Sequence, residues 1–446
     1  MQDKNEHILL FFDDYAKHNR MPDVIPILNE NQMCAFNTIE CTNSNVLILG
    51  QAGTGKSTFV NYLKSVSTKR IVCACPTAVS ALNIGGQTIH SLFQIQPRDF
   101  ILPEILKLKA KPRNILVATD VLVIDEISMV APDLLDAIDI LARMARRNNE
   151  PFGGIQVVGI GDLFQLPPVI TRDAEDYYKQ EYGYKNAYFF DANVYKRANF
   201  LKFDFNQVYR QSDNELLNNL VLLRNNDVSA LPFFNNCRIE DKQILENAVI
   251  ITPFRAIADR INADRLNQIS APEIKYTGEI DGNFNANDVP APMELKLKQG
   301  ALVMFVKNSD KWHNGSMGVI EGLGTRGINV RIIDDNRCEI VTVKPEKWSK
   351  IEYSRDENDR IIENEVGSYK QFPLVLGYAM TIHKSQGKTL SKVVLDISSG
   401  AFAHGQTYVA LSRTRSAKDI HIVKPLRERD IIFDKRIIDF VNDVSE

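Results

Sequence analysis

The 446-residue sequence has no long hydrophobic run. Its first apolar stretch, HILLFF within MQDKNEHILLFFDDY, is too short for a signal peptide and lacks a basic lead-in. Nothing approaches the length of a membrane span. An excess of basic residues is missing too: 53 Lys+Arg stand against 56 Asp+Glu, a net charge of −3. That excludes a chain-wide positive field, so any nucleic-acid site has to be a local groove. Cysteine is sparse: Cys34, Cys41, Cys73, Cys75, Cys237 and Cys338 have no disulfide-framework spacing, which fits a reducing compartment. Cys73 and Cys75 alternate on an expected strand and share a face. With His90 nearby they are a candidate metal cluster, although buried small hydrophobes are the favoured reading. No low-complexity tract or repeat of solenoid period occurs. What remains is 44% apolar and 24% charged, an ordinary globular composition long enough for about three domains.

One stretch organises the rest. Asn45–Phe59 reads NVLILGQAGTGKSTF. Val46–Leu49 is a short apolar run of the kind that forms a buried parallel strand. It leads directly into Gly50, and Gly55, Lys56 and Ser57 complete a phosphate-binding loop. Gly50, Gly53 and Gly55 let the backbone curl and aim N–H groups, those of Thr54 and Thr58 among them, at phosphate oxygens. A helix over TFVNYLKSV adds the positive end of its dipole. Lys56 reaches the β- and γ-phosphates as a point charge, and the Ser57 hydroxyl holds Mg²⁺. The expected cofactors are ATP and Mg²⁺.

Strands and helices alternate around this loop. Upstream, LNENQMCAFNTI predicts a short helix with Leu28, Cys34, Phe36 and Ile39 as its apolar stripe, preceded by a helix and a Pro22/Pro26 connector over 1–28. Gln32 carries donors and an acceptor that suit an adenine edge; the competing reading is a solvent-exposed Gln. Downstream, Arg70–Cys75 reads as a strand ending at Pro76-Thr77, and ALNIGGQTIHSLF as a Gly-Gly turn followed by small polar residues. Val121–Ile124 is a strand that delivers Asp125-Glu126. Asp125 suits the Mg²⁺ shell, and Glu126 suits orientation and deprotonation of the attacking water. A helix over Leu134–Arg147 has Leu134, Leu135, Ile138, Leu141, Ala142 and Ala145 on its apolar face. The strand Gln156–Ile160 ends in GDLFQLPPV, where Gln165 can sense a γ-phosphate. This order predicts a parallel sheet with the site at its carboxyl edge.

Gln94–Asn114 reads as an inserted excursion with Pro97, Pro103, Pro112 and a basic cluster of Lys107, Lys109, Lys111 and Arg113, either a solvated face or a functional element. Val249–Pro253 restarts the strand–helix pattern. From about Gly278 to Tyr369 short β-rich runs (ALVMFVKN, GSMGVIEGL, INVRIID, CEIVTVK) predict a small inserted β-barrel. Trp312 and His313 there belong either to its core or to a binding face. The parallel-sheet pattern resumes in FPLVLGYAMTIHKSQGKTL and VVLDI.

Together, GQAGTGKST, CPTAVSALNIGGQTIHSLF, VLVIDEISMV, GIGDLFQLPPV, GYAMTIHKSQGKTL and YVALSRTRSAKDI resemble the superfamily-one DNA helicases, most closely the Pif-type branch related to RecD and the phage helicase Dda. Glu126–Arg146 resembles that branch's own signature. The resemblance implies an α/β fold of two RecA-like domains with parallel sheets, 1–200 and 201–446. A small insert (94–114, a candidate strand-separating element) lies in the first, and a β-barrel (278–370) in the second. It implies an ATP-driven motor that moves 5′→3′ on single-stranded DNA and separates duplex or forked DNA. It further implies a monomer, cytoplasmic and nucleoid-associated, with no membrane and no indicated protein partner. By resemblance Lys56, Ser57, Asp125, Glu126, Gln165, Arg210 and Arg413 fall on the ATP site, Gln32 at adenine, and Gly387 on the second-domain motif against the γ-phosphate. Pro76, Thr77, Thr88, His90, Ser91, Thr252, Pro253, Thr381, His383 and Ser385 fall on motifs that touch the DNA strand. Most are short polar groups suited to phosphate and sugar contact. No long extension flanks the motifs, so the resemblance lends no support to organelle targeting or accessory regulation. Two other readings share these motifs: a RecD-like subunit of a nuclease complex, and an ATP-switched DNA-binding module that never separates strands.

Overall fold

The computed structural model describes residues 27–442, apart from 97–100, 102–105, 169, 171–175, 177, 179, 181–182, 186, 212, 238–247, 287–288 and 334–338. The helix and proline connector expected over 1–28 lie almost wholly outside the described residues, as do Pro97, Pro103 and Cys338.

The first sheet is built from β1 (Val46–Gly50), β2 (Ile71–Cys75), β3 (Gln87–Thr88), β4 (Val121–Asp125), β5 (Gln156–Gly161) and β6 (Leu201–Phe205). Their order is β3-β2-β4-β5-β1-β6, all parallel. β1, β4 and β5 are buried along their whole length, as continuous apolar strands covered on both faces must be. Cys73 and Cys75 are in that core beside Val121, Val123 and Ile48, and burial pushes the Cys73 thiol up to about 12. Burial of both thiols among apolar side chains is what the hydrophobic reading of these cysteines expects.

α1 (Glu30–Cys41) buries Ile39 of the expected stripe, with Leu28 and Phe36 partly buried against the same core; Cys34 is exposed instead, and Gln32 and Ala35 are buried. The helix is turned so that its capping end meets the phosphate loop. α2 (Lys56–Val66) starts at Gly55, and α3 (Ala78–Ile84) and α4 (Ile89–Phe93) follow β2 and β3. The carboxyl-terminal part of the expected excursion is helical, α5 (Ala110–Ala118), with Pro112 buried and Lys107, Lys109, Lys111 and Arg113 facing solvent. α6 (Pro132–Arg146) buries all six residues of the predicted face. It also buries Asp133, Asp136 and Asp139, because Asp136 accepts from Tyr184 Oη (2.7 Å) and Val194 N (2.8 Å) and Asp139 from Phe152 N (2.7 Å).

A domain boundary at residue 200 does not fit this sheet. β6 pairs with β1 from Val46↔Leu201 to Gly50↔Phe205, so the first domain extends through Phe205. α7 (Asn214–Arg224) follows it. The second sheet starts at β7 (Val249–Thr252), which leads into α8 (Arg255–Asn267).

The expected barrel is not seen as one. A five-stranded antiparallel sheet runs β14-β13-β12-β11-β17, from β11 (Leu302–Phe305), β12 (Met317–Leu323), β13 (Ile328–Ile333), β14 (Ile340–Val343) and β17 (Leu374–Leu376). β8 (Ile274–Thr277) and β10 (Glu294–Leu297) form a separate ribbon, and β9 (Glu279–Gly282) joins a long hairpin of β15 (Glu346–Arg355) and β16 (Ile361–Gln371). Among the described residues β14 and β17 stay edges, so the module is an open sheet over an apolar core of Leu295, Val303, Phe305, Val330 and Leu374. Trp312 belongs there: it stacks on Phe305 (centroids 4.6 Å) and donates to Lys307 O at 3.0 Å, while His313 is exposed. The hairpin leaves the module and docks on the first domain. Tyr353 Oη accepts from Cys73 N (3.2 Å) and donates to Gly85 O (3.4 Å), Tyr353 N donates to Gln87 Oε1 (3.3 Å), and Lys64 pairs with Glu363 (3.1 Å).

β18 (Ala379–Thr381), β19 (Val393–Leu395) and β20 (Ile420–Ile422) complete the second sheet in the order β18-β7-β19-β20, again parallel. α9 (Ile382–Ser385) and α10 (Gln406–Leu411) complete the motor elements.

Candidate active site

Register places the chemistry. β1 pairs Leu49 with Gly161, and β4 pairs Asp125 with Ile160. One residue further along each strand, Gly50, Glu126 and Asp162 leave the sheet at the same edge. Gly53 and Gly55 there have φ of +85° and +81°, the left-handed region that favours glycine. A Cβ on Gly53 would lie 2.5 Å from Arg210 Cβ, and one on Gly50 2.7 Å from Thr54 Oγ1. The loop is therefore closed against the segment after β6, and Tyr209 N donates to Gly53 O at 2.8 Å.

Lys56 Nζ donates to Gly50 O (2.6 Å) and Gln51 O (2.9 Å), folded back onto its own loop. Burial lowers its affinity for a proton, while Asp162, Glu126 and Asp125 oppose that shift. Ser57 and Thr58 stand exposed at the start of α2. Asp125 is 7% exposed, and burial raises its carboxyl. Glu126 sits in the left-handed region (φ 55°, ψ 42°), a backbone cost of about 1–2 kcal/mol for a non-glycine residue. Burial first and Asp125 second push its carboxyl up to about 7, with Lys56 pulling the other way. Gln386 Nε2, from the second domain, donates to Glu126 Oε2 at 3.1 Å. Its neighbour Gly387 has φ +76° and open space where a Cβ would point.

Asp162 is fully buried and holds Gln165 through Nε2 (3.0 Å), with Arg224 Nη2 at 3.4 Å and Tyr408 Oη at 3.5 Å. Arg210 has a buried Nη1 with no partner, and burial pulls its guanidinium down. Arg413 is 0% exposed and tied by Nε to Val409 O (2.6 Å), Nη2 to Ser412 Oγ (2.7 Å) and Nη1 to Ser385 O (3.3 Å). Burial and then Arg210 pull it down to about 9, so it is charged at neutral pH. Gln32 is 4% exposed. Its Oε1 accepts from Asn29 N (3.1 Å) and its Nε2 donates to Thr54 O (3.2 Å), so it braces the loop instead of standing in solvent. Beside it Tyr209 is 53% exposed and accepts from Asn29 Nδ2 at 2.9 Å, offering a ring face at Gly55.

The strand-contact expectations divide. Cys75 pairs with Thr88, which puts Pro76, Thr77, Thr88, His90 and Ser91 side by side at the first sheet's edge, all partly accessible. His383 is exposed at the second. Thr252, Pro253, Thr381 and Ser385 are buried. Thr381 Oγ1 accepts from Lys384 N (3.2 Å) and caps helix α9, while Ser385 Oγ donates to Ile382 O (2.7 Å) within that helix.

Asp162, Tyr209, Arg224, Gln386 and Tyr408 were not picked out from sequence. Only Asp162 carried a signal, a carboxylate directly past a buried strand, the same cue that marks Asp125.

A family model described as PIF1-like helicase matches residues 27–218, and one described as helicase matches 348–443. The ATP-dependent DNA helicase Pif1 of Campylobacter jejuni is 32% identical over 413 residues, covering 85% of this chain and 88% of that protein. This chain belongs to the Pif1 family of ATP-dependent DNA helicases. Among solved structures, Bacteroides sp. Pif1 in complex with ADP-AlF4 matches with a TM-score of 0.87 at 35% identity, over 94% of this chain and 97% of the other. Bacteroides Pif1 bound to ssDNA matches at 0.66, with the same identity and coverage. Among the described residues no helix is long and apolar enough to cross a membrane.

Proposed function

We propose that this Pif1-family helicase moves 5′→3′ along single-stranded DNA as a monomer, hydrolysing Mg²⁺-ATP between its two domains and opening forked duplexes. The observation that carries the reading is the unpartnered buried Nη1 of Arg210, held against the phosphate loop by the fit of Gly53 on Arg210 Cβ. A buried guanidinium nitrogen without an acceptor marks a place for an anion. Lys56 exchanges the carbonyls of Gly50 and Gln51 for phosphate oxygens. Glu126 orients and deprotonates the attacking water, its raised carboxyl suiting a base near neutral pH. Gln165, fixed by Asp162, reads the γ-phosphate. Arg210 and Arg413 neutralise the charge that develops on it. The purine lies at Tyr209, with Gln32 bracing the loop beneath it.

Ser57 and Asp125 would hold Mg²⁺; a hydroxyl and a buried carboxylate are the oxygen donors a hard cation prefers. Bound there, Mg²⁺ would supply neutralisation of phosphate charge. The single strand crosses both sheet edges, over Pro76, Thr77, Thr88, His90 and Ser91 and then His383. Gln386 on Glu126 links closure of the cleft to the base, so ATP state sets the grip on the strand.

The test compares matched duplexes with a 5′ or a 3′ single-stranded tail, with ATP turnover followed in parallel. The 5′-tailed substrate opens at a rate that follows turnover, and single strands stimulate the ATPase. Opening of only the 3′-tailed duplex overturns the direction, and turnover without opening of either overturns strand separation.

A further inference from the structure

Phe254 and Phe402 are 41% and 55% exposed, yet they stack on each other with centroids 5.2 Å apart and planes inclined by 30°. The rings come from two loops at the carboxyl edge of the second sheet. β18 and β7 pair Thr381 with Thr252, and β7 and β19 pair Ile251 with Leu395. His383, Phe254 and the loop carrying Phe402 therefore leave three adjacent strands in a row, at the edge where parallel sheets bind ligands. Arg255 follows Phe254 directly; its side chain is 79% exposed and pairs at the helix surface with Asp259 (3.4 Å). A packing role would have covered the rings. What is left is a ledge of aromatic carbon beside a cation, the surface on which bases of any sequence stack.

We propose that Phe254 and Phe402 form a base-stacking platform for single-stranded DNA on the second domain. This rests on the single-strand reading above and adds to it a contact with the bases, where the expected contacts are with phosphate and sugar. The platform also has a route to the ATP site. Phe402 N donates to Gln406 Oε1 at 3.0 Å, and Gly405, between them, packs so tightly on the first domain that a Cβ would lie 2.3 Å from Phe164 O and 2.6 Å from Gln165 O. A base seated on Phe402 therefore presses on the loop that abuts Gln165, the γ-phosphate sensor.

The experiment uses the whole chain and two fluorescent strands of equal length, oligo-dT and an abasic sugar-phosphate strand, with binding read by anisotropy. The parent binds oligo-dT more tightly than the abasic strand. Phe254→Leu with Phe402→Leu keeps apolar volume and removes the stack. It weakens oligo-dT binding about tenfold, leaves the abasic strand's affinity in place, and is restored by Trp at either position. Equal loss on both strands, or no loss on oligo-dT, overturns the platform. Failure of the parent to bind either strand is a different outcome: it removes the DNA reading itself, and the platform with it.

Discussion

Arg210 and Arg413 face the same cleft but stand in opposite structural states, and that difference sets a sharp expectation for their alanine variants. Arg413 is fully enclosed and makes three hydrogen bonds, to Val409 O, Ser385 O and Ser412 Oγ. Bonds from a charged donor contribute about 1.5–3 kcal/mol each, and relief from burying a guanidinium offsets part of that. Arg413→Ala is therefore expected to cost about 2–4 kcal/mol of stability. Arg210 keeps a buried Nη1 with no partner, and its charge depresses Arg413. An unsatisfied buried donor costs about 1–3 kcal/mol, so Arg210→Ala should leave the unliganded protein as stable as its parent or about 1 kcal/mol more so. Turnover should fall in both, by at least about a hundredfold, because charge on the transferring phosphoryl group loses its clamp. Arg210→Lys should recover little, since a point charge cannot reproduce the fork. Thermal melting without nucleotide and steady-state ATPase with single strands read the two effects; a multidomain melt is compared by its sign. An Arg210→Ala protein that melts as low as Arg413→Ala and still turns over ATP near the parental rate would make Arg210 a structural residue and remove the argument from its orphaned nitrogen.

Three more expectations follow from the same geometry. Lys56→Ala should lose nucleotide binding together with turnover, whereas Glu126→Gln should keep binding and stop hydrolysis; fluorescent-nucleotide titration and ATPase separate them, and near-parental turnover in Glu126→Gln rejects the base. Glu126 must be ionised to accept a proton and its carboxyl is pushed up to about 7, so kcat should rise with pH through about 7 and level above it. Gln386→Leu removes a donor that favours the carboxylate and should move that limb upward; a limb in the ordinary carboxylate range refutes the assignment. Tyr353→Phe should leave Cys73 N without its partner and destabilise by about 1–3 kcal/mol. Proteolysis at the hairpin tip, 356–360, should quicken, because the tip rests on the first domain through Arg70 Nη1 to Asp359 O (3.1 Å); an unchanged cleavage rate argues that the hairpin docks through other contacts.

The phosphate loop, the Asp125-Glu126 pair, the six-residue face of α6 and the alternation that makes parallel sheets were all legible in the chain, because each depends on residues within a few turns of one another. A glycine spacing, a run of buried-type residues or a helical period carries its own physical requirement. Other features depended on partners far along the chain. Leu201–Phe205 has an alternating edge-strand pattern that fits either domain, and only pairing with Val46–Gly50 assigns it to the first. The β-rich runs of 278–370 specify strands, but which edges meet, and that the Tyr353 hairpin leaves to dock on Cys73 and Gly85, is settled by contacts some 270–280 residues apart in sequence. Gln32 reads as a solvent or adenine residue until the loop it braces is in place, and the apolar period of α6 does not show that Asp136 and Asp139 will be met by Tyr184 and Arg197. Local sequence determined where the phosphate loop and the acidic pair stand and which strands are buried; the tertiary structure alone decided what each polar group is satisfied by, since a hydrogen bond needs its partner within about 3 Å and the chain does not say which distant residue will arrive there.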